Sequence, residues 1–157
     1  MFNSGFNSFF NSGFKVVTTV AATLLVVAAL INGLLMTFSP EAWYWLVPGV
    51  PGRGPFNQHF VRDIGINYML IGVAFIAGAM LVKQRRVLWL MPAAWLTGHA
   101  IIHVWEVIVG ICGTISLIED FAGVTLPALL ALSLVFASYK DHRDSSPTIS
   151  RSDPMIQ

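Results

Sequence analysis

The sequence has little of two things that a water-soluble domain relies on. Its 157 residues include one cysteine, Cys112, so no internal disulfide framework can form. Asp, Glu, Lys and Arg together make up only 11% of the chain, too little charge to clothe a domain of this size in water. The charges that are present nearly cancel, to a formal +1, which removes the electrostatic footprint of a nucleic-acid-binding protein. Charge is also missing from long stretches of sequence, Val16–Phe38 being wholly free of it.

What remains is apolar: 55% of the residues are hydrophobic. Four segments carry the excess, and a helix of roughly 20 residues crosses the hydrocarbon of a bilayer. The sequence predicts an all-α integral membrane four-helix bundle with helices at about 16–38, 58–82, 87–112 and 121–139. The first apolar run is longer than the roughly 7–15 residues of a secretory h-region, and no A-x-A-like site follows, so an uncleaved first helix is expected. Lys15, Lys83, Arg85, Arg86, Lys140, Arg143 and Arg151 fall on one side of such a bundle, and only Arg53 and Arg62 on the other. That asymmetry predicts both termini in the cytoplasm, in a bacterial inner membrane.

The ends and the first connection read differently. MFNSGFNSFFNSGFK, residues 1–15, suits an interfacial or flexible arm, and the Ser- and Pro-containing residues 140–157 suit a disordered cytoplasmic tail. Between the first two helices, Ser39-Pro40-Glu41 resembles a helix start, and the Pro and Gly residues from Pro48 to Pro55 stop it. Trp43, Tyr44 and Trp45 between them predict a short interfacial aromatic element. Pro127 predicts a kink in the fourth helix.

The polar residues inside the spans are the functional signal. Trp95, His99, His103, Glu106 and Gly110 recur at spacings of 4, 4, 3 and 4. At about 100° per residue they occupy one stripe of the third helix. His59, Asp63, Asn67, Leu70 and Ala74 form a similar stripe on the second, with Arg62 at its edge and Tyr68 pointing away. A connection as short as KQRR makes these two helices antiparallel neighbours. Ionisable groups cost several kcal/mol each in hydrocarbon, so the two stripes are expected to meet. The expected pocket holds His59, Arg62, Asp63, Asn67, Trp95, His99, His103 and Glu106 in the outer leaflet.

Three uses of that pocket follow. His99 and His103, with Glu106, Asp63 and His59, offer nitrogen and carboxylate ligands to a divalent metal such as Zn, Cu, Mn or Fe. The residue after His99 is alanine, so this is no zincin motif, and two histidines on one face cannot bracket a haem. Alternatively, the pocket holds a lipophilic molecule, with His103, Glu106 and Asp63 as candidate acid–base catalysts. The third use is structural, with pairs such as Arg62–Glu106 fixing helix register in an assembly subunit. Expected partners are membrane lipid and either a larger membrane protein or a second copy of the chain.

The run His59-Phe60-Val61-Arg62-Asp63-Ile64-Gly65, followed by a short basic loop and a third helix with polar groups, resembles small four-helix bacterial membrane proteins of the DoxX-like kind. The resemblance implies an accessory protein of the inner membrane, working beside a larger oxidoreductase or transport system. It assigns no catalytic residue.

Overall fold

The structure, a computed structural model, describes the backbone of residues 3–144 and the side chains of residues 15–139. The end of the expected tail, residues 145–157, lies outside the described residues.

The described chain is helical, with no strand among its elements. In order these are α1 (Asn3–Phe38), α2 (Pro40–Leu46), a 3₁₀ turn (Val50–Gly52), α3 (Gln58–Met80), α4 (Arg85–Ile108), α5 (Ser116–Glu119), a π-helical turn (Phe121–Thr125) and α6 (Leu126–Asp144). α1 begins at Asn3, so its backbone continues through most of the segment expected to be an arm. α4 ends at Ile108, four residues short of the expected Cys112, and Gly110 turns the chain with φ 79°.

Four of these helices are long and apolar enough to cross a membrane, and only 22 to 33% of each span is buried inside the molecule. Val20, Leu24, Ile31, Leu70, Ile101 and Phe136 are among the large apolar side chains on outward faces. Such a surface needs an apolar surround. Several threonine hydroxyls within the spans are satisfied locally, Thr19 donating to Lys15 O, Thr23 to Thr19 O and Thr97 to Ala93 O, each within 2.9 Å, whereas the buried Thr37 Oγ1 has no hydrogen-bond partner among the described residues.

α1 packs closely along α3, and glycines make this possible. A Cβ added to Gly33 would sit 2.7 Å from the Gly65 carbonyl oxygen, and one on Gly65 would sit 2.6 Å from Thr37 Oγ1. Gly78 of α3 instead makes room for the Trp89 indole of α4, whose Nε1 donates to Phe75 O at 3.1 Å. α3 and α4 are the antiparallel neighbours that their short connection predicts. The small residues on α3 therefore serve two partners, with Gly65 and Gly72 facing α1 and Gly78 facing α4.

Hollows open toward both ends of the bundle, a cleft of about 440 Å³ between α1, α3 and α4 near the α3–α4 connection and cavities beneath the opposite end. Phe75, Leu134, Ala131 and Ala93 are almost wholly buried at the end where α3 meets α4. The opposite end is covered by α2, the 3₁₀ turn and α5. Pro40 takes the first position of α2, where its missing N–H costs nothing. Asn57 caps α3 by accepting from Phe60 N at 3.1 Å. Pro127 lies in the first turn of α6, and the irregularity expected there is expressed just before it, as the π turn in which Thr125 N bonds to Asp120 O.

Candidate functional site

A cavity of about 400 Å³ lies beneath the cap, within the size range of small-molecule sites. Leu25, Ala28 and Ala29 of α1, Ile71 of α3, Leu96 of α4 and Pro127 of α6 form its apolar walls. Its polar side is made by Arg53, His99, His103, Glu119 and Asp120. A second cavity of about 320 Å³ adjoins it, reaching Tyr44, Phe60, Ile64 and Trp95. Trp43, Val50, Arg53, Tyr68 and His99 line both.

The cap is fastened at two points. Trp43 Nε1 donates to Asn32 Oδ1 of α1 at 2.7 Å. Arg53 Nη1 donates to Asp120 Oδ1 at 2.7 Å, and its Nη2 lies 3.7 Å from Glu119 Oε2 without a hydrogen bond. The loop that carries Arg53 is held by Tyr44 Oη, which donates to Gly54 O at 2.7 Å, and it packs so closely on α5 that a Cβ on Gly49 would strike Glu119 Oε2 at 2.6 Å. Gly49 also has φ +80°, a conformation that other residues adopt only with strain.

Asp120 is the hub. Only 8% of the residue is exposed, and its other oxygen, Oδ2, lies 2.7 Å from His103 Nδ1. Burial alone would raise the Asp120 carboxyl. The side-chain hydrogen bonds from Arg53 and His103, with the guanidinium charge close by, outweigh burial and hold it below its ordinary value. Asp120 is therefore a carboxylate and accepts only, which puts the Nδ1 hydrogen on His103 and leaves Nε2 without a partner among the described residues. The 3.4 Å approach of Arg53 Nη1 to His103 Nδ1 is then a contact between two donors that bond to the two oxygens of one carboxylate. From His103 an aromatic file runs inward: His99 edge-on at 4.6 Å, Trp95 stacked on His99 at 5.1 Å, and Tyr68 edge-on to Trp95 at 5.2 Å.

The two stripes expected from the sequence fare differently. On α4, Trp95, His99, His103 and Glu106 are all half-buried and face inward together, with Gly110 beyond the helix and exposed. On α3 the stripe is turned the wrong way. His59, Asp63 and Leu70 are exposed, and the inward line is Val61, Gly65, Tyr68, Gly72 and Phe75. Tyr68, expected to point away, is the α3 side chain that reaches both cavities. At 23 residues α3 is about 34 Å long, so its first turns extend past a hydrocarbon core of about 30 Å. His59 and Asp63 pair there at 3.4 Å, 90% and 58% exposed, without needing the interior. Arg62 donates from Nε to Thr37 O at 3.1 Å and does not meet Glu106. Glu106 instead accepts from the Cys112 thiol at 3.8 Å. Asn67 is half-buried and lines neither cavity.

The five residues expected to ligate a metal are thus divided, His59 and Asp63 outside, His99 and His103 at the cavity, and Glu106 beside Cys112. Among the described residues no group of three or more His, Cys, Asp or Glu side chains is placed to hold a metal ion. Arg53 and Asp120, which complete the site, lie in connections outside the predicted helices. The signal for them was present: two opposite charges on the same, charge-poor side of the bundle.

No protein-family profile matches the chain, and comparison with curated proteins and with solved structures likewise gives no match.

Proposed function

We propose that this chain is a small membrane protein whose capped end binds a lipophilic small molecule. The cavity beneath α2 carries the reading: it combines apolar walls from α1, α3, α4 and α6 with a polar rim of His99, His103, Asp120 and Arg53. Lipophilic ligands need such a volume for the apolar body and a few placed polar groups for the head. The lysine and arginine asymmetry supports both termini on the cytoplasmic side of a bacterial inner membrane, which puts the site toward the opposite face. The small size of the chain suits an accessory role beside a larger membrane system.

A second reading, acid–base catalysis on the bound molecule, is favoured by the orientation of His103. Asp120 holds Nδ1, and the unpartnered Nε2 belongs to a cavity-lining side chain, the arrangement a general base requires.

Mass spectrometry of small molecules retained by detergent-purified protein tests the binding. Ala28 lines the cavity, so Ala28→Phe fills part of it. A lipophile kept by the wild type and lost from Ala28→Phe is the expected result; identical contents in both proteins would overturn the proposal.

A further inference from the structure

The polar groups at the cavity restrict the chemistry of what it can hold. This step rests on the binding role proposed above and adds the class of the ligand. Charge comes first. The single guanidinium at the site, Arg53, faces two carboxylates, Asp120 at 2.7 Å and Glu119 at 3.7 Å. No positive charge is left over to compensate an anion in an apolar cavity, where an unpaired charge is costly. Glu119 is 34% exposed at the capped end, so water rather than a ligand cation can solvate its remaining charge.

Hydrogen bonding comes second. Arg53, Tyr68 and His99 line both cavities, and Arg53 Nη2, the Tyr68 hydroxyl and the His99 ring nitrogens have no hydrogen-bond partner among the described residues. Each of those three side chains can donate to a ligand oxygen. In the neutral ring, His103 Nε2, with Nδ1–H committed to Asp120, can only accept. One ligand group answers donors and acceptor together: a neutral hydroxyl, which gives its hydrogen to one nitrogen and receives one on its oxygen. A carbonyl or an ether would leave the acceptor on His103 unanswered, and unanswered polar groups in apolar surroundings weigh against binding.

We propose that the cavity takes a neutral lipophile bearing a hydroxyl group, an alcohol or phenol, whose O–H is donated to His103 Nε2 and whose oxygen accepts from His99.

Naphthol, its methyl ether and naphthoate share one apolar frame and differ in this group alone. Their binding to the full-length protein in detergent can be followed by quenching of tryptophan fluorescence at about pH 8, above the ordinary titration range of imidazole. Naphthol is expected to bind about tenfold tighter than its methyl ether, the scale of one hydrogen bond in an apolar site, with naphthoate weakest. In Asp120→Asn the side-chain amide donates to Nδ1, the imidazole hydrogen moves to Nε2, and the preference for naphthol over the ether is expected to vanish or invert. His103→Phe keeps a ring of similar shape and is expected to bind both equally. Equal wild-type binding of naphthol and ether, or tightest binding of naphthoate, would overturn the ligand class while leaving the binding role intact, and the wild-type series decides this without any variant. Binding of none of the three, or binding unchanged in Ala28→Phe, would overturn the binding role on which the class depends.

Discussion

Two polar clusters of similar composition sit at the same end of this bundle. His59, Arg62 and Asp63 on α3 comprise a histidine, an arginine and a carboxylate, and so do His103, Arg53 and Asp120. The first set is exposed, 90% at His59 and 58% at Asp63, with partners one turn away or on the neighbouring backbone. The second is drawn from two connections and one span, and its side chains are 20, 17 and 9% exposed at Arg53, His103 and Asp120. The residue types are matched, so burial and the origin of the partners separate a solvated helix start from a site.

The strongest way to break the comparison is Arg53→Met. It removes the cation and leaves Asp120 buried with only His103, a loss expected to cost about 3 kcal/mol, toward the low end for a broken buried pair because Arg53 keeps some exposure. Thermal unfolding in detergent reads it, with Arg62→Met as the matched control. Equal effects from the two variants would erase the distinction. Gly49→Ala should cost about 1–3 kcal/mol in the same assay, through backbone strain at φ +80° and the clash with Glu119. No atom that bonds to Asp120 is changed, so a loss there would show that loop shape positions the clasp.

Acid sharpens the contrast further. Because the folded-state Asp120 carboxyl lies below its ordinary value, its stabilising contribution is fully present above about pH 3.9 and is lost only as pH falls through the lower folded value. A pH series of unfolding temperatures should therefore stay flat down to about pH 3.9 and fall progressively below it, and Arg53→Met should make that fall shallower. The smallest effect belongs to His59→Ala, expected within about 0.5 kcal/mol of wild type as an exposed i,i+4 pair.

Much of the architecture was legible in the sequence, because hydrocarbon imposes length and apolarity on every span. The face of α4 was legible too: Trp95, His99 and His103 sit deep enough that polarity could persist only by facing inward. On α3 the same rule misled, since His59 and Asp63 occupy the first turns, where water reaches them and polarity says nothing about direction. The small residues there held the better clue. Gly65 and Gly72 mark the face that α1 needs, and Tyr68 lies between them on that face. Arg53 and Asp120 were hardest to find. They belong to no periodic pattern, and only folding brings together two loops that read separately as surface.

The clasp between Arg53 and Asp120 joins positions 67 residues apart. Its two halves come from opposite halves of the chain, so it cannot close until the connection after α4 has come back over the first loop, and long-range contacts of this kind form late. A chain that stopped short of residue 120 would leave a bare cation on its first loop and an imidazole with no fixed tautomer. The closed clasp therefore registers that the loop after α1 and the loop after α4 have met.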